Sequence, residues 1–335
     1  MNNSNTILSL EHVSKEFTVE SKELFQKRKT LKAVTDVTLN VKYGESLALV
    51  GESGCGKSTI GRLMIKLLNP THGRILFKGN DVSKFKKQEM RMFRKEVQMV
   101  FQDPFASLNP RMTVEEIILD PMEVQNIANN DEKRRELAYH IMNECGLDIN
   151  YAKRYPHQFS GGQRQRIGIA RTLSVEPKLL VCDEPVSALD VSIQAQIINL
   201  LENIKAERGL TLVFISHDLR VVNYIADRVA VMYLGRIVEI ADTNELYSNP
   251  LHPYTKALLA SIPKIGEGKF DMNKTILEGN VPSPMNLPTG CSFQHRCIES
   301  CSSCGVDGDF ELKEIKDGHW CSCKKVKENS YENIY

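Results

Sequence analysis

Short apolar runs and longer stretches with apolar residues at helical spacing alternate along this chain, separated by turn residues. The runs at 7–18, 37–41, 47–50, 74–77, 97–101, 179–183 and 211–216 predict strands, and 230–239 predicts a hairpin turning at Gly235-Arg236. The run Leu179-Leu180-Val181-Cys182-Asp183 has no polar alternation, which is the pattern of a strand buried on both faces. Helical spacing falls at 59–68, 84–95, 114–119, 136–142, 163–173 and 192–208. The basic segment 22–32 reads as a hairpin or loop facing water. Together these predict an α/β core. Into it a helical subdomain is inserted at about 103–172, where Glu, Asn and Met become frequent. Beyond Pro263 the chain turns irregular, and Pro282, Pro284 and Pro288 exclude a regular helix there.

Composition narrows the class only a little. At 335 residues, 41% hydrophobic and 25% charged, the chain is ordinary for a soluble globular protein. A net charge of +1 shows no nucleic-acid footprint, and no nucleic-acid partner is expected. The first residues lack the basic and apolar regions of a signal peptide, and no apolar run approaches the ~18 residues that span a bilayer. A cytoplasmic location is expected, with any membrane role exercised through partners. Six of the nine cysteines crowd into the last forty-five residues, and in a reducing compartment they point to metal rather than disulfides.

The chemistry centres on Gly51-Glu52-Ser53-Gly54-Cys55-Gly56-Lys57-Ser58-Thr59, between the run 47–50 and the helical pattern that follows. A strand, a glycine-rich turn and a helix make a cradle in which backbone N–H groups converge on phosphate. Lys57 supplies charge for the β- and γ-phosphates and Ser58 a hydroxyl for Mg²⁺. The helix N-terminus predicts a lowered pKa and a reactive thiol at Cys55. Asp183 and Glu184 end a buried run: the first is placed to reach Mg²⁺ through its water shell, the second to polarise the attacking water. Ser160-Gly161-Gly162-Gln163 opens another helix and forms a second anion cradle. One chain has no use for two cradles around one γ-phosphate, whereas a head-to-tail pair does.

With these motifs in order, the sequence resembles the ATP-binding cassette (ABC) transporter ATPases over about 7–262: residues 51–58 as Walker A, Gln102 as the Q-loop, 160–163 as the signature, 179–184 as Walker B, Asp190 in the D-loop and His217 as the switch histidine. The resemblance implies a P-loop NTPase nucleotide-binding domain over 1–262 and a Cys-rich C-terminal extension over 263–335. It makes Gln102 a sensor of Mg²⁺ or the γ-phosphate, sets His217 against the γ-phosphate, and makes Phe17 the best candidate to stack on adenine, the alternatives being Phe25 and a plain core role for Phe17.

The stretches 100–111, 155–162 and 252–259 are similar to the oligopeptide/dipeptide importer ATPases, and within them to the F-type subunit, which pairs with a D-type subunit as a heterodimer. That resemblance implies ATP hydrolysis coupled to peptide import, with two membrane permease subunits and, indirectly, an extracytoplasmic peptide-binding protein. The chain would then sit peripherally on the cytoplasmic face of the membrane. It also implies that Cys291, Cys297, Cys304 and Cys323 hold a [4Fe–4S] cluster, with Zn²⁺ as the alternative and Cys301 and Cys321 as alternate ligands. The rival readings are the same architecture importing nickel or glutathione, a soluble cassette ATPase acting on nucleic acid or the ribosome, and a non-enzymatic scaffold.

Overall fold

A computed structural model describes residues 5–19, 29–128, 130–262, 282–283, 285, 287–306 and 310–326. Strands β1 (Thr6–Val19) and β2 (Lys29–Lys42) pair antiparallel. With β4 (His72–Phe77) and β5 (Asn80–Asp81) they form a sheet of order β2-β1-β4-β5. Here the structure corrects the sequence reading. Residues 29–32, expected in a loop, are strand, and Lys29 is in register with Val19. They lie on an edge strand, where lysines block pairing with other sheets, so a basic run is compatible with β structure. Residues 22–28, Phe25 among them, Pro284 and residues 263–281 lie outside the described residues.

The second sheet is the frame of the molecule. Its order is β11-β12-β10-β9-β3-β8-β7-β6, built from β3 (Ser46–Val50), β6 (Val97–Val100), β7 (Leu179–Asp183), β8 (Thr211–Ser216), β9 (Arg228–Tyr233), β10 (Arg236–Asp242), β11 (Lys313–Lys316) and β12 (His319–Cys321). β6, β7, β8, β3 and β9 run parallel, and every residue of β3, β7 and β8 is buried. Parallel strands bring their C-terminal ends to one edge, and that is where residues 51–59, 102, 183–184 and 217 emerge.

α1 (Lys57–Met64) packs Ile60, Leu63 and Met64 into the core below β1 and β3. It stops short of the expected 59–68 because Lys66 adopts a left-handed φ of 58°, which ends the helix although apolar residues continue to Leu68. α2 (Lys87–Glu96) buries only Phe93, and its basic residues face water. Between β6 and β7 lie α3 (Pro104–Ser107), α4 (Val114–Gln125), α5 (Asp131–Glu144) and α6 (Gly161–Leu173), packed through Ile117, Ile118, Met122, Ala138, Ile141, Met142, Ile167 and Ala170. α7 (Val191–Arg208), α8 (Leu219–Ile225), α9 (Thr243–Ser248) and α10 (Pro253–Ala260) complete the helices that bear on the site.

The C-terminal segment returns to the main sheet. β12 pairs with β10 at Glu239↔Cys321 and Ile240↔Trp320. Glu239, fully buried, accepts from the backbone N–H groups of Leu251 (2.7 Å) and His252 (2.9 Å) and pairs with His319 Nε2 at 2.8 Å. A buried carboxylate is tolerable only when its lone pairs are so occupied, and here that requirement ties β10, α10 and β12 together.

Candidate functional site

The loop between β3 and α1 is shaped by crowding. A Cβ on Gly51 (φ +150°) would lie 2.1 Å from the Met232 carbonyl oxygen, and one on Gly56 (φ +107°) 2.3 Å from that of Ala33. Both obstacles are backbone, so only glycine fits. Gly56 caps α1 without a side-chain bond, which leaves the first N–H groups of the helix for an anion. Lys57 is buried, and its Nζ donates to the carbonyls of Gly51 (2.8 Å) and Glu52 (3.0 Å). An ammonium folded back onto its own loop is a charge stored where a polyanion would enter.

Cys55 departs from expectation. Its thiol is buried, and desolvation raises its pKa even though Lys57 and the helix terminus act to lower it. Lys57 Nζ does reach the Cys55 sulfur, at 3.9 Å, but it also donates to two loop carbonyls, and desolvation outweighs its pull on the thiol. Cys55 is thus a shielded thiol and not the reactive one expected.

Three neighbouring strand ends converge beside the loop. Asp183, at the end of β7, is buried and accepts from Ser58 Oγ at 2.8 Å; burial raises its carboxyl pKa. Glu184 follows with φ +45°, a left-handed conformation costly for a non-glycine residue, held by its N–H bond to the Ile215 carbonyl of β8 at 3.0 Å. That turn directs its carboxylate to Gln102 Nε2 (2.9 Å), beyond β6, and His217 Nδ1 (3.3 Å), beyond β8. Of the residues singled out in sequence, Ser58, Gln102, Asp183, Glu184 and His217 thus form three contacts, joined through the neighbours Asp183 and Glu184, at one sheet edge.

The second glycine pair sits differently. Ser160 is exposed and caps α6 in a box: Gln163 N–H donates to Ser160 Oγ (3.4 Å) and Ser160 N–H to Gln163 Oε1 (3.0 Å). A Cβ on Gly162 would meet Ile193 of α7 at 2.4 Å, so this glycine also serves helix packing. Asp190 stands exposed at the start of α7. Phe17 is half-exposed on β1, with the Lys15 ammonium 5.1 Å from its ring centroid.

Sequence reasoning missed two residues that hold Glu52. Tyr254 Oη accepts from Glu52 N–H at 3.0 Å, and Arg296 forks onto the Glu52 carboxylate at 2.6 and 3.0 Å. Tyr254 falls in the stretch 252–259, whose resemblance to the importer ATPases carries no contact with the loop, and an arginine 244 positions from its partner leaves no local signal.

In the C-terminal segment Cys291, Cys297, Cys304 and Cys323 line one cavity of about 20 Å³; Cys301, whose sulfur lies 3.3 Å from that of Cys304, and buried Cys321 do not. Among the described residues no three His, Cys, Asp or Glu side chains are arranged to hold a metal ion. Burial pushes the Cys291 thiol up to about 11 and raises Cys297 and Cys304, so without a cation beside them these thiols stay neutral. A larger cavity, about 240 Å³, lies between β2, β10 and the segment carrying Phe310 and Trp320, and none of the loop or strand-end residues above lines it.

Comparison with known proteins agrees with this geometry. Residues 34–187 match the family model described as ABC transporter, and residues 238–304 match that of the oligopeptide/dipeptide transporter C-terminal region. The chain is 51% identical over 323 residues to the oligopeptide transport ATP-binding protein AppF of Bacillus subtilis, covering 96% of this chain and 98% of that one. It is 50% identical to the oligopeptide transport ATP-binding protein OppF of Escherichia coli, covering 90% of each. Among solved structures, the dimeric post-hydrolysis state of the ATP-binding cassette MJ0796 bound to ADP and Pi superposes with a TM-score of 0.63 at 29% identity, over 70% of this chain and 98% of that one.

Proposed function

The chain belongs to the ABC transporter ATPases, in the group of the oligopeptide transport ATP-binding proteins, and from that premise we propose that it binds and hydrolyses ATP to drive import of oligopeptides. The observation that carries the reading is the convergence of Ser58 with Asp183 and of Gln102 and His217 with Glu184 beside a loop that stores a lysine charge.

In this reading the N–H groups of 51–58 and Lys57 bind the triphosphate, and Lys57 exchanges its loop carbonyls for phosphate oxygens. Mg²⁺, when bound, neutralises charge on the β- and γ-phosphates; Ser58, Asp183 and Gln102 are the residues that would hold it. The donor set fits: a hydroxyl, a carboxylate kept close to it, and an amide oxygen. Glu184 takes a proton from the attacking water, and His217 and Gln102 set its position. Phe17 lies under the adenine.

Ser160, Gly161, Gly162 and Gln163, with Asp190, close the nucleotide site of a second cassette, the related D-type subunit. What supports this is the exposure of Ser160 and the dimeric state of the solved relative bound to ADP and Pi. We divide the chain into a cassette at 1–262, with helices at about 103–172 that press on two permease subunits, and an extension at 263–335. Because no helix of the described residues is long and apolar enough to cross a membrane, translocation falls to those permeases. An extracytoplasmic protein delivers the peptide, and this chain works from the cytoplasmic face.

For the cysteine segment we propose a [4Fe–4S] cluster, with Zn²⁺ as the alternative, because four thiolates suit either group. What supports a metal there is that Cys291, Cys297, Cys304 and Cys323 line one cavity; at about 20 Å³ it has room for about one water, so a cluster requires these thiols to move apart.

The test is uptake of labelled oligopeptide by cells lacking this chain, complemented with wild type or Lys57→Ala. Restoration by wild type alone is expected. Unimpaired peptide uptake in the deleted cells, with a fall in nickel or glutathione uptake, would overturn the cargo assignment.

A further inference from the structure

Glu52 is an awkward residue for a loop that is to receive a triphosphate, because its carboxylate repels every phosphate that approaches. The structure answers this from outside the cassette. Arg296 donates from Nη1 to Glu52 Oε2 (2.6 Å) and from Nη2 to Oε1 (3.0 Å), the two-pronged geometry in which guanidinium and carboxylate match. The arginine side chain is 5% exposed and the glutamate 24%, so water screens the pair little.

Its footing is rigid. Arg296 N–H donates to the Phe293 carbonyl, and Phe293 is buried against Tyr233 and Tyr254 with ring centroids 5.2 and 5.3 Å apart. Tyr254 in turn accepts from Glu52 N–H, and the Glu52 carbonyl accepts from Lys57 Nζ. The N–H, the carbonyl and the carboxylate of this one loop residue are therefore each held, two of them by groups that come after position 250.

We propose that Arg296, on the C-terminal segment, is a positioning and charge-neutralising residue for the nucleotide site, acting through Glu52. It cancels the one negative charge carried on the phosphate loop and fixes the loop before ligand arrives, so less ordering remains to be done on binding. The proposal rests on the reading of 51–58 as the phosphate loop. It predicts a dependence on ligand charge that a purely structural tail contact would not produce: ATP suffers more than ADP when the arginine is lost, and removing the glutamate charge relieves the loss.

The experiment is titration of the purified full-length chain with fluorescent ATP and ADP analogues in Mg²⁺, for wild type, Arg296→Gln, Glu52→Gln and the double variant. Arg296→Gln is expected to raise the ATP dissociation constant about tenfold, the scale of coupling between paired groups, and the ADP constant less. The double variant should return to within about threefold of wild type. Arg296→Lys, which keeps the charge and loses the fork, should lie between, and it carries the test if Arg296→Gln does not fold. Wild-type affinity in both Arg296 variants, or an equal loss for ATP and ADP that Glu52→Gln does not relieve, would overturn the proposal. Lys57→Ala separates the two claims: if it binds ATP normally the phosphate-loop reading itself fails, whereas loss of binding there with no effect at Arg296 sinks this inference alone.

Discussion

The chain carries two glycine-rich helix starts, and they are built on opposite plans. The loop before α1 is enclosed: backbone from β2 and β9 presses on Gly51 and Gly56, Lys57 is buried, and Glu52 is gripped by Tyr254 and Arg296. The start of α6 is closed on one side only: a Gly162 Cβ would meet Ile193 at 2.4 Å, but Ser160 is exposed, its hydroxyl accepts from its own helix, and a Gly161 Cβ would touch nothing closer than Leu189 at 3.3 Å. One is enclosed by its own chain, and the other leaves its serine exposed. Similar sequence chemistry thus serves two purposes, and the difference lies in what the rest of the fold places around each.

The strongest way to sharpen that contrast is to separate binding from turnover. Glu184→Gln should lower ATP turnover by about 10³-fold, the scale of a lost general base, while leaving ATP binding intact; steady-state hydrolysis beside equilibrium binding measures both. Should binding fall as well, the enclosed cradle does not act independently of the acid pair.

Next comes the open cradle. Ser160→Ala removes a cap, at about 1 kcal/mol of stability, together with the hydroxyl of an exposed residue. ATP binding by the isolated chain is expected to be unchanged, with turnover of the assembled transporter down about 10²-fold, as for loss of one oxyanion donor. Weakened binding in the isolated chain would show that both cradles serve the same molecule.

The smallest effect concerns the buttress of the enclosed cradle. Tyr254 stands on α10, whose first turn is capped by His252 Nδ1 accepting from Tyr254 N–H at 3.1 Å. Burial lowers the His252 pKa from 6.5 to about 4. The unfolded chain therefore binds the extra proton first as pH falls; the stabilisation is complete above about 6.5 and is lost progressively towards 4. At pH 5 the loss is about 2 kcal/mol, roughly thirtyfold in the folding equilibrium. Denaturant midpoints from pH 7 to 5 for wild type and His252→Asn, which keeps a capping oxygen and does not titrate, check this: the variant should show the shallower decline.

Much of the site was legible because its chemistry is local. Glycines that must adopt left-handed φ, a lysine at a fixed offset and two acids after a buried run all write themselves into neighbouring residues. What was illegible is decided by distant neighbours. Lys29 to Lys32 read as loop because charge hides a strand whose outer edge faces water. Cys55 read as reactive because a helix terminus is visible in sequence and a desolvating shell is not. The fork from Arg296 to Glu52 could be found only after the C-terminal segment had been brought back to the main sheet.

That return has a consequence for the chain's birth. β10 is synthesised well before β12, yet β12 is the strand that covers its outer edge, with Ser322 N–H bonding the Val238 carbonyl at 3.0 Å. At ~5–20 residues per second a nascent chain waits on the order of ten seconds between making the two, with one flank of its central sheet unpaired. Until then the ribosome holds a cassette whose nucleotide loop lacks its arginine and whose sheet can still recruit a stranger, and the codons from Arg296 to Cys321 close both openings.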